Sequence, residues 1–210
     1  MKTLAFALSL ALASPALATQ EYILPTLFDV SGVAADDVLN IRAEPNASSE
    51  IIGTLAPDAT QIEVFETRGN WGLVNSSERS GWVSMRYLDY RTDVWEAGAL
   101  PENLTCLGNE PFWSIAAEGS DLVFKHPEGE ERYPGLRVLD DGIPRSPRRA
   151  LVAGEGANRM SAVITPQICS DTMSDMAYGL SATLIVEGAH ARDGAQMLHG
   201  CCLAGGTGRN

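Results

Sequence analysis

Four cysteines, Cys106, Cys169, Cys201 and Cys202, are the side chains of this 210-residue chain best equipped for chemistry, and all lie in its second half. A thiolate can be a nucleophile or a soft metal ligand, and an oxidised pair is a brace. His199-Gly200-Cys201-Cys202, with Met197 close by, carries the soft donors that suit copper. No CxxC spacing occurs, so a zinc ribbon or a thioredoxin-type redox pair has no support. The other histidines, His126 and His190, are not at ligand spacing. Glu110, beside Phe112 and Trp113, and Asp171 with Asp175 are carboxylates of the kind used in acid–base catalysis. The plainer reading is adopted for them: Asp171 and Asp175 cap a tight turn, and Glu110 starts a strand. The one basic cluster, Arg145-Ser146-Pro147-Arg148-Arg149, reads as a solvated loop, with an anion site as the alternative. No catalytic constellation emerges, so no catalytic residue, metal or cofactor is expected.

The compartment narrows the options. Lys2, a short apolar run over residues 4–12 and Ala16-Leu17-Ala18 read as a secretory signal, cleaved between Ala18 and Thr19. The run is shorter than the roughly 20 apolar residues a bilayer crossing needs, so stable membrane insertion is not expected. No Cys follows it to carry a lipid. The expected location is therefore periplasmic or secreted, where an even number of cysteines favours disulfides. Strand neighbours point to opposite faces, so Cys201 and Cys202 each need a different, distant partner. Either assignment to Cys106 and Cys169 meets that need; the preferred one is Cys169–Cys201 with Cys106–Cys202. A net charge of -12 argues against nucleic acid or anionic lipid as a partner.

The elements that carry these residues read as all-β. Leu39 and Ile41 share one face, residues 62–66 and 71–74 are β-rich, and Gly53 and Gly81 stand where a strand bends or a ring packs on bare backbone. Turns fall at Pro45-Asn46 and Pro57-Asp58. Five or so short strands suit a small closed barrel. From Cys106 onward, candidate strands cover residues 112–116, 122–125, 136–139, 160–164, 180–186 and 197–203. They predict a second small β-barrel or sandwich with disulfides. The expected organisation is a signal over 1–18, a barrel over 19–90, a linker over 91–105 and a cysteine-bearing β domain over 106–210. Trp95 in that linker is expected to pack against a neighbouring domain.

The runs Leu39-Asn40-Ile41-Arg42-Ala43-Glu44-Pro45 and Ile52-Gly53-Thr54-Leu55, the pair Trp71-Gly72 and the closing Gly81-Trp82-Val83 together resemble the bacterial SH3-like family. Pro57-Asp58 departs from it, since the family often has a glycine turn there. The resemblance implies a barrel that binds peptide or cell-wall material beside another module and is rarely an enzyme. Its groove candidates here are Trp71, Tyr87 and Tyr90 with Arg42 and Glu44 beside them. Trp82 reads as core, and the plain reading of Arg42 is an ion pair with a nearby acid. Three further runs, residues 106–113, 169–175 and 200–202, resemble a family of bacterial envelope proteins sometimes fused to an SH3-like module. That likeness implies location and fold but no chemistry. The expected function is a non-catalytic envelope protein whose partner is peptide, cell-wall material or another envelope protein. The alternatives are a wall hydrolase or its accessory, and a periplasmic metal or small-ligand carrier.

Overall fold

The computed structural model describes residues 22–189 and 191–205. The expected export signal, the Ala18–Thr19 cleavage point and His190 lie outside them. Among the described residues there are seventeen strands in three sheets and no α-helix. Every strand-to-strand ladder is antiparallel.

The N-terminal strands are β1 (Thr26–Val30), β2 (Leu39–Arg42), β3 (Ile51–Leu55), β4 (Ile62–Val64), β5 (Glu66–Arg68), β6 (Trp71–Ser76), β7 (Arg79–Ser84) and β8 (Leu88–Tyr90). A three-stranded sheet, β4-β1-β8, faces a five-stranded one, β3-β2-β7-β6-β5. Period-two alternation sends Phe28, Val30, Leu39, Ile41, Val64, Val74 and Val83 into one buried cluster between them. Within the five-stranded sheet Gly81 of β7 must be bare: a Cβ there would sit 2.6 Å from the side chains of both Ile41 of β2 and Ile52 of β3. Trp82 is buried, with the Arg68 guanidinium 4.9 Å over its ring.

The remaining strands are β9 (Thr105–Asn109), β10 (Phe112–Glu118), β11 (Asp121–His126), β12 (Gly129–Tyr133), β13 (Arg137–Asp140), β14 (Arg149–Glu155), β15 (Asn158–Ser170), β16 (Ala177–Glu187) and β17 (Ala195–Leu203). They form one sheet in the order β12-β11-β10-β9-β17-β16-β15-β14-β13. This sheet curls into a half-barrel. Its far side is drawn in by hydrogen bonds from the Gly154 amide to the Pro134 carbonyl (2.7 Å) and from the Leu136 amide to that of Ser120 (2.8 Å). On β16, Leu180, Ala182, Leu184 and Val186 are buried while Ser181, Thr183 and Ile185 face outward. The concave face also buries Trp113, Ile115, Leu122, Phe124, Tyr133, Leu151 and Met160.

The open side of the half-barrel is closed by residues from outside its sheet. Leu27 of β1, with Val94, Trp95 and Leu104 from the connecting segment, joins the half-barrel core. The Trp95 indole N–H donates to the Pro25 carbonyl at 2.8 Å. Above that ring, at 5.2 Å, lies the Arg149 guanidinium. Arg149 does not belong to a solvated loop: it opens β14, is 1% exposed, and donates to the carbonyls of Glu96, Ala99, Ser146 and Arg148 at 2.6–2.9 Å. Those four acceptors are what make burial of the cation tolerable. On the opposite flank, the Asn75 amide donates to the Ala177 carbonyl, and the Ala177 amide donates to the Ser80 hydroxyl, both at 2.8 Å.

Two disulfides cross-link the sheet. Cys106 is bonded to Cys202, its direct cross-strand partner between β9 and β17, inside the main core. Cys169 is bonded to Cys201, in a smaller cluster with Tyr178 and Leu203. Adjacent residues of β17 thus send their sulfurs to opposite sides, as alternation requires.

Candidate functional site

A groove of about 570 Å³ runs along the barrel surface where the segment before β2, the β6 start and the turn after β7 converge. Its wall includes Asp37, Val38, Arg42, Trp71, Arg86 and Tyr87. Trp71 opposes Arg68 on one side and Ser84 on the other, at the exposed end of the β6 ladder. A 3-10 turn, Met85–Tyr87, follows β7. It turns Met85 into the core and leaves Arg86 and Tyr87 in the groove wall. The Arg86 guanidinium lies 4.8 Å over the Tyr87 ring. Arg42 donates one guanidinium N–H to the Ser49 carbonyl at 2.7 Å, which closes the turn after β2. Its partner is therefore a carbonyl and not the acid expected from the sequence. Asp37 spends one carboxylate oxygen on the amide of exposed Val38 at 2.8 Å.

Of the five groove candidates, the structure brings together Arg42, Trp71 and Tyr87. Tyr90 is elsewhere. Its ring packs 5.4 Å from those of Tyr22 and Phe28, in an aromatic group on the core. Leu88 and Tyr90 are two apart on β8 and so share its inward face. Glu44 is also outside the groove, in an exposed turn where it accepts a bond from the Asn46 amide at 3.3 Å. Sequence reasoning missed Arg86, Asp37 and Val38. Only the position of Arg86, one residue before Tyr87, pointed to it.

The chemistry-bearing residues of the half-barrel serve other ends. All four cysteines are in disulfides, so none is available as a thiolate. Asp171 is the hub of a tight loop, accepting bonds from the Met173 and Ser174 amides and from the hydroxyls of Ser174 and Tyr178. Burial would raise its carboxyl, but those donors outweigh it and hold the group below the usual carboxylate range. Asp175 pairs through its backbone with Glu78 and Ser80, which fastens that loop to β7. Glu110 is exposed at the β9–β10 turn and Arg148 faces Asp141 at 3.7 Å. Met197 and His199 lie exposed on the convex face. Among the described residues no three His, Cys, Asp or Glu side chains are grouped to hold a metal. Trp113 lies so close on the bare backbones of Gly108 and Gly200 that a Cβ at either would collide with its ring. The glycines of the 106–113 and 200–202 runs thus have a packing role.

One carboxyl stands apart. Glu63 of β4 is enclosed at the junction, accepting the Ala204 amide on Oε2 at 2.9 Å while Oε1 has no partner. Burial pushes it up to about 7, against the pull of the Ala204 and Gly205 amides.

Residues 37–89 match the family model of the bacterial SH3 domain. The match takes in Arg42, Trp71, Arg86 and Tyr87, and it leaves β1 outside. No curated protein and no solved structure matches the chain.

Proposed function

We propose that this is an exported, non-catalytic envelope protein that docks on peptide or cell-wall material through the groove of its SH3-like barrel. The observation that carries the reading is the convergence of Arg42, Trp71 and Tyr87 in one groove of the segment that matches the bacterial SH3 domain. Aromatic rings supply contact area at low entropic cost, which suits the recognition of extended chains. The two bridges favour an oxidising compartment. Their bonding also speaks against a cysteine hydrolase, because a thiolate nucleophile needs a free thiol. In this reading the half-barrel is a rigid support.

The test is retention on purified sacculi, using the whole mature chain, since β1 is buried against both cores and an excised barrel would leave Leu27 without its own. Wild-type protein is expected to be retained and a Trp71→Ala variant released. Failure of the wild type to be retained at any of several salt concentrations overturns wall docking.

A further inference from the structure

We infer that the groove selects ligands bearing a carboxylate, such as the free C-terminus of a short peptide, an inference that rests on the docking role proposed above. The chain carries 27 acidic against 15 basic residues. In the same barrel Arg68 reaches Glu66 at 3.3 Å, and just after it Arg91 reaches Asp93 at 3.0 Å. Arg42 and Arg86 have no carboxylate within ion-pair distance among the described residues, and both line this one groove. The groove's own acid, Asp37, is exposed and has turned one oxygen to the Val38 amide. Two cations against one anion leave the groove with a positive excess in an otherwise strongly negative molecule.

Both guanidiniums have a contact in the groove before any ligand arrives. Arg42 is pinned by one N–H to Ser49, which leaves its other N–H groups without partners among the described residues. The Arg86 guanidinium sits 4.8 Å over the Tyr87 ring. Fixing the donors in advance lowers the entropic cost of capturing an anion. A planar carboxylate matches the guanidinium fork, and the rings of Trp71 and Tyr87 flank the space that the adjoining residue would fill. A cationic or amidated chain end gains none of this.

The probes are N-acetyl-Ala-Ala-Ala with a free C-terminal carboxylate and the same peptide as its C-terminal amide, titrated into the full mature chain and followed by NMR at the Trp71 indole. The acid is expected to bind about tenfold more tightly than the amide, the difference between a charge-assisted and a neutral hydrogen bond. That preference should collapse in Arg86→Gln, a substitution at an exposed position, and shrink as salt is raised. Equal binding of acid and amide that still requires Trp71 overturns the selectivity and leaves the docking reading intact. A preference that survives Arg86→Gln overturns the assignment to this groove. Absence of binding by both peptides also overturns the inference, while sacculus retention scores the docking role separately.

Discussion

Leu27 and Phe28 are consecutive residues of β1, yet they are buried in different cores: Leu27 in that of the half-barrel, Phe28 in that of the barrel. One strand is thus a wall common to both units. Leu27→Ala is expected to cost about 2–5 kcal/mol, the usual range for a fully buried leucine. The loss should extend to the barrel, so that urea unfolding followed by near-ultraviolet circular dichroism and by tryptophan emission gives a single transition. Two separated transitions would refute the common wall.

The Glu63 carboxyl predicts an unusual pH dependence. Its pKa rises from an ordinary 4.5 to about 7 on folding, so between those values the folded state binds the extra proton. The stabilisation is complete below about pH 4.5 and is lost as pH rises through 7. At about 1.4 kcal/mol per unit, the loss is on the order of 3 kcal/mol. Glu63→Gln should flatten this slope, and denaturant midpoints at pH 5 and pH 8 measure it. Parallel pH profiles for wild type and variant would contradict the assignment.

The two disulfides close loops of different length, with separations of 96 residues for Cys106–Cys202 and 32 for Cys169–Cys201. Loop-closure entropy then gives about 5 and about 4 kcal/mol respectively. Replacing each pair by alanine should therefore destabilise the protein more when the Cys106–Cys202 bridge is lost. Thermal denaturation of the two double variants checks the order.

Arg149 binds four carbonyls with one planar fork, a geometry that lysine cannot reproduce. Arg149→Lys should cost at least about 2 kcal/mol, because carbonyls are left buried and unpaired. The same substitution at Arg148, which is exposed beside Asp141, should change the melting temperature little.

Much of the barrel was legible because its residues report their own surroundings. Leu39 and Ile41 alternate as a half-buried strand must, and Gly81 marks the point where Ile41 and Ile52 press on backbone. The half-barrel hid more. Gly129–Tyr133 is not among the strands expected from the sequence, yet it is β12: Tyr133 points into the core and Arg132 joins an outer ladder with Glu118 and Glu130 at 2.6 and 2.9 Å. Arg149, expected in a solvated loop, is instead buried, since a charge in sequence carries no sign that four carbonyls await it. In the groove, Trp71 and Tyr87 stood out by residue type, whereas Arg86 did not. Tyr90 falls outside the groove because, after the 3-10 turn at Met85–Tyr87, it joins Tyr22 and Phe28 in an aromatic group, while Tyr87 stays in the groove wall.

The sharing of β1 bears on how the molecule would carry force. Under the docking proposal, a pull on a ligand at Trp71 would pass into a barrel whose β1 also packs into the core of a covalently stitched sheet. A body built so would act as a bracket, passing load from the barrel to the stitched sheet through the strand that both cores share.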